Sequence, residues 1–135
     1  MNARRTQRVL VVDDDDQIRE AARDTLAEEG YAVSLAHDGI AALKLLRATR
    51  DRLVVLLDLR MPELDGAGVL GAVAGDRTLA QQHVFILMTA DNRTMTLAFA
   101  GLLTQLEVPL IKKPWELEEL LASIADATAR LHGRG

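Results

Sequence analysis

Five short apolar runs recur along this chain at intervals of about 25 residues, and between them the apolar positions return every three or four residues. Runs at 8–13, 31–35, 53–57, 83–88 and 108–111 are too short for helices and too continuously apolar for strands with one wet face. They predict parallel strands buried on both sides by crossover helices. The intervening periodicity supplies those helices. Ile18, Ala22 and Leu26 precede Gly30; Asp38 is placed to cap a helix carrying Ile40, Leu43 and Leu46 inward. Pro62, Asp65 and Gly66 mark a loop before a short helix of Val69, Leu70 and Val73. A helix over 92–103 holds Met95, Phe99 and Leu102, and a last one carries Leu117, Leu120, Leu121, Ile124 and Leu131. The expected architecture is α/β: a doubly wound five-stranded parallel sheet with five helices on its two faces.

Bulk properties narrow the function without choosing it. A chain of 135 residues is one domain, and 49% hydrophobic with 27% charged residues is ordinary globular composition. The net charge of -4 argues against nucleic-acid binding, since Arg4, Arg5, Arg8 and Arg134 make no basic patch by themselves. With no Cys there is no disulfide, thiol chemistry or thiolate metal site. The polar segment MNARRTQR does not resemble a signal peptide, no stretch is long enough to span a membrane, and the cytoplasm is the default location.

Four of the apolar runs end in reactive side chains. VLVV leads into Asp13 and Asp14, LVVLL into Asp58, VFILM into Thr89, and VPLIK into Lys113 and Pro114. Ligands of open α/β sheets bind outside the carboxyl ends of the strands, so these groups would share one crevice. Asp15 and Asp16 fall where an N-cap and a first-turn acid favour the next helix. Two carboxylates about 4 Å apart repel by about 4 kcal/mol at an effective dielectric near 20. Either one stays protonated or a cation is bound, and a few hard oxygen ligands with room for water suit Mg²⁺. Asp58, on the strand that reads as central, is a candidate nucleophile toward phosphorus. Strand alternation turns Lys112 away from Lys113, leaving Lys112 to solvent.

In order and type, VLVVDDDD, VLLDLRMPELDG, ILMTA and LIKKPW resemble the acidic pair, phosphoacceptor loop, Thr/Ser strand and Lys-Pro strand of response regulator receiver domains. The likeness covers nearly the whole chain. It implies a flavodoxin-like fold with strand order 2-1-3-4-5, and phosphorylation of Asp58 by a histidine kinase or histidine phosphotransfer protein. It further implies Mg²⁺ held by Asp14, Asp58 and the backbone carbonyl of Arg60, with Asp13 acting through water, and Thr89 and Lys113 on the phosphoryl oxygens. Kinase docking is expected on Ile18, Ala22 and Pro114. Arg60 and Asp91 are expected to tune the phosphoryl lifetime. A receiver spanning 8–132, short tails at 1–7 and 133–135, and no effector domain complete the expectation, with a target protein or a homodimer downstream.

One departure stands out. Where receivers carry a switching Tyr or Phe, three residues before the Lys, this chain has Leu110. A phosphorylation-independent interaction module is therefore the alternative. An Asp-nucleophile phosphohydrolase of the haloacid-dehalogenase type is disfavoured because Arg60 stands where its general acid would be.

Overall fold

The computed structural model describes residues 7–90 and 95–134. The elements run β1 (Arg8–Val12), α1 (Asp16–Glu28), β2 (Ala32–Ala36), α2 (Gly39–Ala48), β3 (Leu53–Asp58), α3 (Gly66–Ala74), α4 (Arg77–Gln82), β4 (Val84–Thr89), α5 (Leu97–Gln105), β5 (Leu110–Lys112) and α6 (Leu117–Gly133). All strand pairings are parallel and the order is β2-β1-β3-β4-β5, as expected.

Strand alternation divides the core into two layers. Leu10, Val12, Val55, Leu57, Phe85 and Leu87 meet α2, α3 and α5 on one face. Val9, Val11, Val54, Leu56, Ile86 and Met88 meet α1 and α6 on the other. Because both faces are covered, β3 and β4 are buried at every residue. The edge strands β2 and β5 are partly exposed and less uniformly apolar.

Local signals set most helix ends. Asp15, Asp38 and Asp65 cap α1, α2 and α3, each accepting from backbone N–H groups of the first turn. Gly30, at φ 97°, ends α1; its N–H reaches Ala27 O and that of Tyr31 reaches Leu26 O.

Several expectations need correction. A sixth helix, α4, is present, capped by Asp76 and anchored by the single buried side chain Leu79, too little apolar surface to show a period. Helix α5 starts at Leu97 rather than 92, because Thr96 accepts from Phe99 N as its cap; positions 92–94 lie outside the described residues. Its fully packed residue is Leu103, with Met95, Phe99 and Leu102 only partly buried. Ile40 and Leu117, expected inward, are 51% and 55% exposed. Both stand in the first turn of their helices, ahead of the positions that reach the sheet. Strands β2, β3, β4 and β5 each end one residue later than expected, β5 starts two residues later, and β1 ends one residue earlier, at Val12.

Candidate functional site

The parallel register brings the four reactive strand ends to one edge. Asp58 closes β3 opposite Met88, Thr89 follows as the last residue of β4, and Thr89 pairs with Lys112. The N–H of Lys113 donates to Thr89 O at 2.9 Å, which continues the sheet to the lysine. Asp13 stands one residue beyond β1, the strand next to β3. The Lys113–Pro114 peptide is cis.

Asp13, Asp14 and Asp58 each contribute a carboxylate oxygen to a group in which all three lie within 4.8 Å of one another. Asp13 and Asp58 are buried, at 0% and 5% exposure, whereas Asp14 faces solvent. Lys113 Nζ donates to Asp13 Oδ2 at 2.9 Å and to Asp58 Oδ1 at 3.2 Å. Each polar atom of Asp13 is thereby engaged: N–H to Ala36 O, carbonyl with Arg19, Oδ1 with the Asp15 N–H, and Oδ2 with Lys113. Among the described residues no hydrogen bond holds the Asp14 carboxylate.

Charge crowding shows in the proton affinities. Burial, then the neighbouring Asp13 charge, push Asp58 up from 3.8 to about 6, with Lys113 opposing the shift. Burial works against the Lys113 ammonium, but its hydrogen bond to Asp13 and the charges of Asp58 and Asp13 outweigh that, and its pKa lies above the ordinary lysine value. One ammonium therefore stands against three carboxylates, and the imbalance favours a further cation on the side that Asp14 leaves open. The donors are all oxygen, which selects a hard ion.

Thr89 is buried at the same edge beside the exposed Ala90. Arg60 is exposed in the loop after β3. Lys112 is exposed at the end of β5, whereas the Lys113 side chain is 15% exposed. Asp91 lies outside the described residues. Leu110 is 41% exposed, and Trp115 packs partly against the α1/α6 layer.

Of the three docking candidates, the structure brings only two together. Ile18 and Pro114 line a groove of about 480 Å³ with Ala90, Lys113 and Trp115. Ala22 is completely buried. Four residues after Ile18, it has rotated toward the sheet, where it packs with Leu26, and it offers no surface to a partner.

One residue escaped the sequence reading, and another was read there only as part of a loop. Arg19, one turn into α1, reaches back to the carbonyl of Asp13; an arginine there reads as a solvated helix face, and its only signal was its spacing from Asp16. Gly66 lies so close to β3 that an added Cβ would stand 2.6 Å from Asp58 O and 2.9 Å from Leu59 Cα. The glycine in the LDG segment is thus required by close approach, beyond its part in a turn.

Fold and site together define a doubly wound α/β domain whose chemistry is an acid–lysine crevice at the carboxyl edge of the sheet. Residues 9–125 match the response regulator receiver domain, and the chain belongs to that family of two-component systems. Response regulator MprA of Mycobacterium tuberculosis is 40% identical over 115 residues, covering 85% of this chain and 47% of that protein. MprA of Mycobacterium ulcerans is 39% identical over the same length. The chain spans about half the length of these curated relatives. A CheY-like receiver domain protein from Methanospirillum hungatei superposes with a TM-score of 0.75 at 29% identity, over 95% of this chain and 96% of that one. The chemotaxis protein CheY4 of Vibrio cholerae gives 0.76 at 25% identity, over 90% and 98%. Among the described residues no helix is long and apolar enough to cross a membrane.

Proposed function

We propose that Asp58 is the phosphoacceptor, taking a phosphoryl group from a phosphohistidine on a partner kinase or phosphotransfer protein. The observation that carries this reading is the meeting of Asp13, Asp14, Asp58 and Lys113 at one strand edge, with Thr89 closing the adjacent strand. With its pKa raised only to about 6, Asp58 is largely ionised at pH 7 and is available as a nucleophile. One carboxylate oxygen attacks phosphorus as the phosphorus–nitrogen bond breaks and the imidazole leaves, giving an acyl phosphate. Mg²⁺, held by Asp14, Asp58 and the Arg60 carbonyl, with Asp13 through water, would neutralise charge on the phosphoryl oxygens. Lys113 already donates to the acceptor carboxylate and would donate to a phosphoryl oxygen on it; Thr89 would donate to another. The same groups would support the domain's own slow dephosphorylation, with Arg60 and Asp91 tuning its rate.

Moving a two-state equilibrium from 1:99 to 99:1 takes about 5.5 kcal/mol, while charge-assisted hydrogen bonds from Thr89 and Lys113 contribute about 1.5–3 kcal/mol each. The switch is feasible with little surplus. Leu110, already turned outward, has no hydroxyl or ring to lock an inward state, which favours the second reading, binding to a target or a second copy that does not depend on phosphate.

Intact mass after incubation with Mg²⁺ and acetyl phosphate tests the proposal. A single hydroxylamine-labile phosphoryl adduct on wild type, absent from Asp58→Asn, is expected. An adduct that survives in Asp58→Asn would reject Asp58 as the acceptor. With a phosphohistidine protein as donor, Ile18→Glu should slow labelling while leaving the acetyl phosphate reaction unchanged, if the groove beside Pro114 is the docking surface.

A further inference from the structure

The three carboxylates are not held alike. Asp13 is fixed by four hydrogen bonds and Asp58 by its strand and Lys113, whereas Asp14 is exposed and, among the described residues, its carboxylate accepts no hydrogen bond. The aim of the Asp14 side chain is therefore set by its backbone, above all by the plane of the peptide joining it to Asp13. That plane has a grip on it. Arg19 Nη1 donates to the Asp13 carbonyl at 2.7 Å, from six residues along the chain. Its Nη2 donates to the Asp16 carboxylate, so one planar guanidinium spans the loop between β1 and α1.

The burial of this arginine separates it from a surface ion pair. The Arg19 side chain is 14% exposed, although Asp16 is 79% exposed. On the same helix Arg23, paired with Asp24, is 42% exposed and, among the described residues, makes no hydrogen bond to a crevice residue. An isolated exposed pair contributes little, and Arg23 fits that description; Arg19, with its side chain largely buried, does not.

We infer that Arg19 is a positioning residue which, by holding the Asp13–Asp14 peptide, aims the Asp14 carboxylate into the cation site. The inference rests on the cation site proposed above. It has a consequence opposite in sign to simple electrostatics. Removing a positive charge beside a cation site should tighten cation binding, whereas releasing the peptide should weaken it. Residues that orient metal ligands typically change metal affinity about 10–100-fold when removed.

The test is calorimetric titration of the whole chain with Mg²⁺, together with thermal melting in EDTA, for wild type, Arg19→Ala, Arg19→Lys and Asp14→Ala. Arg19→Ala should bind Mg²⁺ about tenfold or more weakly than wild type. Arg19→Lys, which keeps the charge but cannot span both acceptors, should fall between the two. Unchanged or tighter binding by Arg19→Ala, with Asp14→Ala abolishing it, would overturn the role of Arg19 and leave the cation site standing. A lowered melting temperature with unchanged affinity would do the same, reducing Arg19 to a structural contact. Wild-type affinity in Asp14→Ala would overturn the cation site and this inference together. Should Arg19→Ala not be folded at the assay temperature, Arg19→Lys decides: a charge effect alone leaves its affinity at the wild-type value.

Discussion

Lys113 occupies the position that decides whether the crevice is tolerable without a cation. Its ammonium bridges Asp13 and Asp58, two buried carboxylates that otherwise face each other. In Lys113→Ala both lose their donor while their repulsion remains, and the apo protein should lose about 2–3 kcal/mol at pH 7, somewhat below the cost of breaking a fully buried pair. Mg²⁺ should restore more stability to this variant than to wild type, because cation binding then relieves the whole repulsion. Urea unfolding in EDTA and in excess Mg²⁺ measures both effects. A Lys113→Ala protein as stable as wild type in EDTA would show that the lysine does not balance these charges. At this scale Asp13, Asp58, Thr89 and Lys113 were legible because each ends an apolar run. Arg19 was not, because its role depends on a helix folding back over the loop before it.

Among the elements, α3 carries the most conditional packing. Its sequence, GAGVLGAVA, contains three glycines whose surroundings differ. Gly66 abuts the Asp58 and Leu59 backbone, which cannot yield as a flexible side chain would; at Gly71 an added Cβ meets nothing within 4 Å. Gly66→Ala should destabilise by about 1–3 kcal/mol through overpacking and slow phosphorylation by shifting the Asp58 loop. Gly71→Ala should stabilise by about 0.5–1 kcal/mol through helix propensity. Equal unfolding free energies for the two variants would contradict this packing. Helices with a clear stripe, such as α1 and α6, were readable as elements. By contrast α4 buries one residue and α5 carries apolar residues around most of its circumference, so periodicity could define neither the existence of the first nor the start of the second. Ile18 and Ala22 share a stripe in sequence, yet only the packed helix shows that one faces the groove and the other the sheet.

For the whole molecule, two buried groups at opposite ends of the sheet set the response to acid. His83, 1% exposed just before β4, accepts from the Leu53 N–H through Nδ1, and its Nε2 has no hydrogen-bond partner among the described residues. Burial lowers its pKa from 6.5 to about 4, although the Leu46 backbone opposes the shift. Its neutral form therefore adds stability above pH 6.5 that is lost as pH falls toward 4, by about 3 kcal/mol. Asp58 acts in the other direction. With its pKa raised to about 6, the folded state keeps a proton that the unfolded chain has released above 3.8. That contribution is complete below pH 3.8 and is lost as pH rises to 6, again by about 3 kcal/mol. Between pH 4 and 6 the two slopes nearly cancel. In EDTA, Asp58→Asn should unmask His83 and become less stable on acidification from pH 6.5 to 4, whereas His83→Gln should become more stable from pH 6 to 4. An Asp58→Asn profile as flat as that of wild type would remove His83 from this account.

By itself the sequence determined the alternation of strands and helices, the burial of both sheet faces and the strand ends that carry Asp58, Thr89 and Lys113. These follow from period and residue type, which are local properties of a chain in water. The family likeness added the strand order. Tertiary structure alone decided which member of a stripe faces solvent, that Asp13 is wholly enclosed while Asp14 is open, and that Arg19 reaches the Asp13 carbonyl. It also decided that His83 is buried and neutral. Burial, proton affinity and hydrogen bonding are set by what the rest of the fold places around a group, and segments far apart in sequence supply those surroundings.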